Sequence, residues 1–441
     1  MNAPWTGYLP QIIREWLAGR QQLQKTISNT GWLLLDRSVR IVIGLTIGAW
    51  IARYLGPPQF GKLAYVISFI AFFQVISTLQ GDGFIVRDIA QSRAEPALIL
   101  GTALRLRLIL GAASWLGATG LMFLLHPEDP ELYRLTFILG GAMIFQAADT
   151  VDLWFQSQSM SRHTVMAKLS AYLCSNGLKV ALLILKAPLM AFAAVICLES
   201  ALLALALAVA YRRRTTGGAW RGEMAQARQL LKLCWPFIIS SLMVTVFMRI
   251  DQIMLKEMTG ERELGIYAAA LVISQAWSVI PTTMAVSLAP FVARRMALDE
   301  KLYQDALVKI FRLFALVSLT GALLTALASP WIIRVMYGPA YDYSSVILRA
   351  HVFVNVIIFQ GIAQGLWVVN KEVRIVTLAA TSIGAAAGIL SNAALIHTFG
   401  ILGAVAAYYV SQGLSIVIIP CLCRPDLLDL YKRAYWWGAR K

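Results

Sequence analysis

The sequence predicts an all-α polytopic membrane protein that crosses the bilayer about twelve times. Of its 441 residues, 59% are hydrophobic and 14% are charged, and the mean hydropathy is +0.67. These values lie far outside the range of soluble globular domains. Runs of about 20 largely apolar residues recur along the chain, and each is long enough to cross a hydrocarbon core of about 30 Å as a helix. The runs are continuous, which favours helices over the alternating strands of a barrel.

The apolar runs define twelve predicted spans in chain order. The first six spans cover 30–52, 62–80, 98–125, 133–156, 165–185 and 188–211. The second six cover 230–256, 265–290, 306–330, 344–369, 373–396 and 400–423. We therefore expect an N-lobe over 29–211 and a C-lobe over 230–423, joined by a basic cytoplasmic linker over 212–229 and followed by a cytoplasmic tail over 424–441.

Most of the 39 lysine and arginine residues lie in alternate loops between these spans, while the other loops mix a few basic residues with acidic ones. By the positive-inside rule, the basic loops are cytoplasmic, and so are both termini. The formal net charge of +16 is thus explained by membrane topology, and no nucleic-acid partner is predicted. Residues 1–28 have apolar side chains at helical spacing with basic residues between them. They are interpreted as an amphipathic segment on the inner membrane surface, the alternative being a disordered tail.

The stretch "GPPQFGK", residues 56–62, resembles a P-loop but is not expected to bind nucleotide. Leu63 stands where a magnesium-binding serine or threonine is required, and the two prolines have no amide donors for phosphate. The loop also lies on the predicted outer side. Its geometry recurs in residues 255–270, so that Gly56 and Gly61 align with Gly260 and Gly265. This match indicates two six-helix repeats, each with a tight outer turn between its first two helices.

Four stretches carry a resemblance to a known family: "ARYLGPPQFGKLAY", "RIDQIML", "GIYAAA" and "GILGAVAAYYVSQ". In this order and chain length they resemble the Wzx-type O-antigen and polysaccharide flippases of the multidrug, oligosaccharidyl-lipid and polysaccharide exporter superfamily, over residues 28–423. The resemblance implies two six-helix lobes around a central cavity and an alternating-access mechanism. It also implies transport of undecaprenyl-pyrophosphate-linked oligosaccharide repeat units to the outer leaflet of the bacterial inner membrane. Such a protein would serve O-antigen, capsule or exopolysaccharide synthesis, and its partners would be this glycan, membrane lipids, and polysaccharide polymerase and chain-length machinery.

Charged residues inside the spans are the candidate functional residues, since an ion in hydrocarbon needs a cavity or a partner. A pyrophosphate-linked cargo calls for a cationic cavity, and arginine can bind phosphate oxygens in a bidentate manner. The substrate-binding candidates are Arg249, Arg349, Lys179, Arg37 and Arg40. For Arg349, an interfacial side chain that extends outward remains the alternative.

The acidic residues inside the spans are candidates for coupling transport to Na⁺ or H⁺: Asp36, Asp149, Asp152 and Asp251. Asp36 precedes Arg40 by one helical turn, so an ion pair between them is the competing interpretation. Asp149 and Asp152 share a helix face, and lobe packing through hydrogen bonds is their alternative role. Asp251 lies two residues from Arg249, which places it on a different face of the helix.

Three other classes of protein are alternatives. A cation-coupled multidrug exporter of the same superfamily is the alternative function, and it would favour buried acidic residues over buried arginines. A membrane enzyme such as a polymerase or ligase would need a large outer loop, which the predicted topology lacks. A scramblase or structural subunit is a third, less specific alternative. No catalytic residues, cofactor or metal site are predicted, so the chain is expected to be a transporter and not an enzyme.

Overall fold

The computed structural model describes residues 21–91, 95–158, 160–214, 220–371 and 374–435. Within these ranges every regular element is helical, which confirms the predicted all-α class. Nine helical segments of the described chain are long and apolar enough to cross a membrane. The first of them, Asp36–Ala90, covers most of the predicted span 30–52 and all of the predicted span 62–80. The predicted polytopic membrane fold is thereby confirmed.

The described chain packs into two compact units. Unit 1 comprises the described part of 21–47 together with 73–238, and unit 2 comprises 48–72 and 239–435. The segment 48–72, which the sequence places in the predicted N-lobe, therefore packs with unit 2. The division into two six-helix lobes stays a prediction.

Unit 1 contains the two ends of a long helix, whose middle part 48–72 belongs to unit 2. It also contains the helices that follow and the start of the helix that enters unit 2 at residue 239. Its helices are α1 (Gln21–Ser77), α2 (Asp82–Ala90), α3 (Pro96–Leu125), α4 (Pro130–Gly140), α5 (Ala142–Phe145), α6 (Asp149–Ser157), α7 (Ser161–Ile184) and α8 (Leu189–Arg212). A 3₁₀ turn, Gln146–Ala148, precedes α6. One buried cluster packs Leu79, Ile85, Leu100 and Leu153 against Leu230 of the helix that follows the linker.

Unit 2 contains the remaining helices, beginning inside α9. They are α9 (Met224–Thr259), α10 (Glu261–Ala276), α11 (Val279–Leu298), α12 (Glu300–Met336), α13 (Ser344–His351), α14 (Val354–Lys371), α15 (Arg374–Phe399), α16 (Ile401–Gln412), α17 (Ile419–Cys423) and α18 (Pro425–Tyr435). A 3₁₀ turn, Pro339–Tyr341, precedes α13, and a π-helical turn, Gly413–Ile418, follows α16. The aromatic side chains of Tyr303, Phe311, Phe314, Phe359 and Trp367 belong to a buried cluster of this unit.

Two glycines at equivalent positions of the repeat make the predicted outer turns. Gly56 has φ 74° and interrupts α1, and Gly260 has φ 108° and separates α9 from α10. Both angles lie in the left-handed region, which glycine adopts without the steric cost of a side chain. The two turns that align in the sequence thus share a glycine with positive φ at the same position.

Two of the predicted spans are helical but fall outside the nine apolar segments. The span 133–156 is divided among α4, α5, the 3₁₀ turn and α6, because its helix is interrupted after Gly140. The span 165–185 is the single helix α7, whose apolar character is interrupted by Lys168, Asn176 and Lys179. The break in the first span follows a glycine, and the lower hydropathy of the second comes from its polar residues. These two spans also contain the candidate residues Asp149, Asp152 and Lys179.

Candidate functional site

Arg40 is engaged by neighbours within unit 1. Its Nε donates a hydrogen bond to Asp36 Oδ1 at 2.9 Å, one turn earlier on α1. Its Nη2 donates to the backbone carbonyl of Lys168 on α7 at 2.9 Å, and the guanidinium lies 4.6 Å from the ring centroid of Tyr172. The ion pair predicted from the spacing of Asp36 and Arg40 is therefore confirmed, and it is part of a contact between α1 and α7.

Asp152 is also paired within unit 1. The residue is only 5% exposed, and its Oδ2 accepts hydrogen bonds from Lys168 Nζ at 2.5 Å and from Gln156 Nε2 at 3.0 Å. A buried carboxylate with a lysine and an amide donor is neutralised by its surroundings. The sequence did not identify Lys168 as this partner, since the two residues lie on different helices, α6 and α7.

Lys179 forms a third ion pair in unit 1. Its Nζ lies 2.9 Å from Glu199 Oε2 on α8, and Ser175 Oγ donates to the same oxygen at 2.7 Å. The Lys179 side chain is 12% exposed. Glu199 shows no local partner in the sequence, and the structure supplies one from the neighbouring helix. Lys179 is therefore held by a protein carboxylate and is not open to a ligand in this arrangement.

Two further candidates of unit 1 have no such partner. Arg37 is exposed and forms neither an ion pair nor a hydrogen bond with the described side chains. Asp149, at the start of α6, is partly buried and likewise makes no side-chain hydrogen bond within the described ranges, although Lys168 and Asp152 lie close enough for electrostatic interaction. Asp149 thus borders the Asp152 pair without joining it.

Arg249 on α9 is an unpaired arginine of unit 2 that lies inside a predicted span. It is partly buried, and no described residue forms an ion pair or hydrogen bond with its guanidinium. The neighbouring carboxylate of Asp251 interacts with it only through space. A guanidinium offers five N–H donors, and within a membrane span each unsatisfied donor is costly. Arg249 therefore retains its full capacity to bind an anion.

Asp251 lies in a polar cluster inside unit 2. It is 2% exposed, and its Oδ2 accepts a hydrogen bond from the Tyr267 hydroxyl at 2.5 Å, while its Oδ1 has no partner. His351 stacks on the ring of Tyr408 at 5.1 Å and meets Tyr267 edge-on at 6.2 Å. We call Asp251, Tyr267, His351 and Tyr408 the Asp251 cluster.

The Asp251 cluster and its neighbour Gln252 contain two more buried polar atoms without a hydrogen-bond partner. His351 Nδ1 lies 2.9 Å from Ser274 Oγ, but its Nε2 is buried without a hydrogen-bond partner. The neighbouring Gln252 accepts a hydrogen bond from Ser68, and its Nε2 is also unsatisfied. Buried polar atoms in native proteins are nearly all hydrogen-bonded, so these three atoms make the cluster a candidate for binding an ion, a proton or water. Tyr267, Tyr408 and His351 were not predicted as site residues from the sequence. Their only signal there is a polar group within an apolar helix.

Arg349 lies at the edge of unit 2. It is exposed on α13, and its Nε donates to the buried Ser329 Oγ on α12 at 3.0 Å. It contacts neither Arg249 nor the Asp251 cluster through a hydrogen bond, although His351 follows it by two residues. The geometry agrees with an arginine near the helix end that keeps its charged group accessible.

The two predicted outer turns contact each other within unit 2. A Cβ atom on Gly61 would lie 1.8 Å from the carbonyl oxygen of Glu261, and one on Gly265 would lie 1.9 Å from the carbonyl oxygen of Pro57. Only glycine allows this backbone-to-backbone approach. Polar pairs extend the contact: Lys62 with Glu261 at 3.7 Å, Tyr65 with Glu257 at 2.6 Å, and Ser68 with Gln252 at 2.8 Å. We call this set the outer contact.

These features define a polytopic helical membrane protein, and solved structures share its fold. An inward-facing multidrug resistance MATE family transporter of the MOP superfamily aligns with a TM-score of 0.70 and 15% identity, over 89% of this chain and 95% of its own. The lipid II flippase MurJ, in an inward closed conformation, aligns with a TM-score of 0.69 and 12% identity, over 92% and 90%. A MOP superfamily transporter from Pyrococcus furiosus with a binding pocket of reverse polarity aligns with a TM-score of 0.60 and 13% identity, over 93% and 96%.

The family follows from the sequence match. Residues 26–296 match the family model described as "Polysaccharide biosynthesis protein". Because this match covers more than half of the 441 residues, the chain belongs to that family. The resemblance stated from the sequence motifs is thereby confirmed at the level of the polysaccharide biosynthesis family, and the fold is the one seen in the solved MOP superfamily structures. The search of curated proteins gives no match.

Proposed function

We propose that this protein is a flippase for polyprenyl-pyrophosphate-linked oligosaccharide repeat units. It moves them by alternating access from the cytoplasmic to the outer leaflet of the bacterial inner membrane, for O-antigen, capsule or exopolysaccharide synthesis. The family supports a role in polysaccharide biosynthesis, and the fold is shared with a structure named as a lipid II flippase. The observation that carries the proposal is Arg249, a partly buried arginine in a predicted span with no partner among the described residues.

The chemistry of the cargo explains why such an arginine would be present. A pyrophosphate must leave the aqueous headgroup region, and a guanidinium can replace its water with two parallel hydrogen bonds. An arginine that already had a carboxylate partner would have to exchange one anion for another. Arg249 needs no such exchange, so its binding energy is available to the cargo.

The other four basic candidates would contact the cargo at different stages of transport. Arg37 and Arg349 are exposed, which suits a first or last contact with the anionic headgroup. Arg40 and Lys179 are held by Asp36 and Glu199, so they would bind cargo only after those pairs open. We therefore rank Arg249 first among the five.

Coupling to an ion gradient is proposed for Asp251. Its unpartnered oxygen can accept a proton or contribute a ligand to Na⁺, and His351 Nε2 in the same cluster also has no hydrogen-bond partner among the described residues. Asp36 and Asp152 are already neutralised by Arg40 and Lys168. Asp149 remains a second candidate because it has no hydrogen-bond partner in the described ranges.

Alternating access requires a contact that forms and breaks on the predicted outer side. The outer contact suits this role, because glycines allow close packing without interlocking side chains and the flanking pairs are polar. We infer that release of the glycan on the outer side follows separation of residues 56–61 from residues 260–265. Polysaccharide polymerase and chain-length machinery would receive the glycan there.

The proposal is tested by replacing Arg249 in a host that lacks the chromosomal gene. We expect Arg249→Ala to trap the lipid-linked glycan on the cytoplasmic side, measured by the leaflet distribution of extracted polyprenyl-linked glycan. Arg249→Lys should be only partly active, because lysine keeps the charge but loses bidentate geometry. Arg334→Ala, at an exposed arginine of the same unit, is the matched control. Normal glycan export by Arg249→Ala at wild-type abundance would refute the assignment.

A cation-coupled multidrug exporter is the second candidate, because a MATE family transporter shares the fold and Asp251 is a buried acid. The deletion strain distinguishes the two functions. Unchanged lipid-linked glycan together with new sensitivity to cationic dyes would assign the protein to drug export. Trapped glycan with unchanged dye tolerance would support the flippase.

A further inference from the structure

Unit 1 has a groove at the predicted outer ends of three helices. The groove has a volume of about 420 Å³ and lies between α3, α4 and α8. It is separate from the residues proposed for cargo and coupling. Its lining residues are Thr119, Tyr133, Arg134, Phe137, Ile138 and Met190.

The depth of the groove follows from the positions of its residues on the helices. Arg134 is four residues from the start of α4, or about 6 Å along its axis, and Thr119 is six residues from the end of α3, or about 9 Å. Met190 is in the first turn of α8. The predicted outer loops connect these three helix ends. The groove therefore begins near the level of the lipid headgroups and extends towards the hydrocarbon.

The walls of the groove are apolar and are held in shape by neighbouring aromatic side chains. Trp115 Nε1 donates a hydrogen bond to the carbonyl of Phe137 at 2.7 Å, and the two rings pack with centroids 4.7 Å apart. Phe123 packs edge-on against Tyr133 at 5.5 Å. These contacts fix α4 against α3 on both sides of Thr119, so the space between them is part of the fold.

Arg134 is the single charged residue of the lining. It is exposed and forms no ion pair or hydrogen bond with the part of the chain that the structure describes. A cation at the mouth of an apolar groove, at headgroup depth, complements a molecule with one anionic head and a hydrocarbon chain.

We propose that this groove is a binding site for one anionic phospholipid of the outer leaflet. One acyl chain occupies the apolar walls, and the phosphate receives hydrogen bonds from Arg134. A single arginine matches the single charge of a phosphodiester. The site acts independently of the proposed transport cycle, since none of its residues is assigned to the cargo.

Lipid binding to the purified full-length protein tests this site. Native mass spectrometry with phosphatidylglycerol would measure the affinity of the bound lipid for wild type, Arg134→Ala and Thr119→Phe. Lys186→Ala is the matched control, because Lys186 is an exposed cation at the same predicted end but does not line the groove. We expect Arg134→Ala to weaken phosphatidylglycerol binding about fivefold. Thr119→Phe should remove the tightest-bound lipid, and Lys186→Ala should leave it unchanged.

Two results would overturn the proposal. Equal phosphatidylglycerol affinity of Arg134→Ala and Lys186→Ala would show that the arginine does not select the lipid. Displacement of phosphatidylglycerol by equimolar undecaprenyl phosphate would show that the groove belongs to a polyprenyl lipid. If Thr119→Phe does not fold, Ile138→Trp fills the same groove from the other wall and must give the same loss.

Discussion

Asp152 in unit 1 and Asp251 in unit 2 are both buried carboxylates in apolar surroundings, but their partners differ. Asp152 has a lysine and an amide donor on one oxygen, whereas Asp251 has a tyrosine hydroxyl on one oxygen and nothing on the other. Two of the candidate arginines follow the same pattern, since Arg40 of unit 1 is paired and Arg249 of unit 2 is not. Unit 1 thus uses its buried charges to hold helices together. Unit 2 keeps a guanidinium, Arg249, available for the proposed binding step and a carboxylate, Asp251, available for the proposed coupling step.

The largest effect is expected from a change in the outer contact at Gly265, two residues before Tyr267 of the Asp251 cluster. Gly265→Leu places a side chain where a Cβ alone would lie 1.9 Å from a backbone oxygen, so the outer contact can no longer close. We expect the protein to lose most of its membrane abundance, measured by immunoblot of membrane fractions. Gly48→Leu is the control, because a Cβ there meets nothing within 4 Å. Equal abundance of the two variants would show that the outer contact does not stabilise unit 2.

The second prediction compares the two carboxylates by replacing each aspartate with asparagine and measuring stability and transport. Asp152→Asn leaves Lys168 without its counter-ion, and we expect a loss of about 1–3 kcal/mol in stability, measured by thermal unfolding in detergent. Asp251→Asn keeps a hydrogen-bond acceptor for Tyr267 and should change stability by less than about 1 kcal/mol. Its effect should fall on transport, with loss of gradient-driven glycan translocation in proteoliposomes.

The opposite pattern would reverse the comparison. If Asp152→Asn abolished gradient dependence and kept wild-type stability, unit 1 would contain the coupling site. If collapsing the proton and sodium gradients left the wild-type rate unchanged, neither carboxylate would couple transport.

The smallest effect is expected at an ion pair outside the membrane spans. Arg424 donates two hydrogen bonds to Asp426 at the start of α18, and this lowers the pKa of the Asp426 carboxyl below its ordinary value of 3.8. A lowered pKa means that the pair stabilises the folded state above the ordinary pKa, and the contribution is lost as the pH falls through the folded-state pKa.

Asp426→Asn should therefore slightly lower the unfolding temperature at pH 7, and the difference from wild type should disappear in acid. Asp429→Asn is the control, because its contact with Lys432 is long, at 3.9 Å, and exposed. Thermal unfolding at pH 7 and at about pH 3 measures both. An Asp426→Asn difference that persisted unchanged at the lower pH would contradict the assigned pKa shift.

Local features of the site could be predicted from the sequence where the partners share a helix. The Asp36–Arg40 pair follows from four-residue spacing, and Asp251 and Arg249 are separated because two residues turn a helix by more than half a revolution. Pairs between helices had no such signal. Lys179 with Glu199 and Lys168 with Asp152 depend on which faces of two helices meet, and one sequence does not encode that in any local pattern.

The sequence alone determined the membrane class, the approximate positions of most spans and the two glycine turns that align in the predicted repeat. These depend on local composition, because a bilayer demands about 20 apolar residues for each crossing and a tight turn demands glycine. Only the tertiary structure decided that the two glycine turns pack against each other and that Arg249 and Asp251 stay unpaired. Those properties arise from packing between segments about 200 residues apart, where a side chain's partners depend on the approach of whole helices.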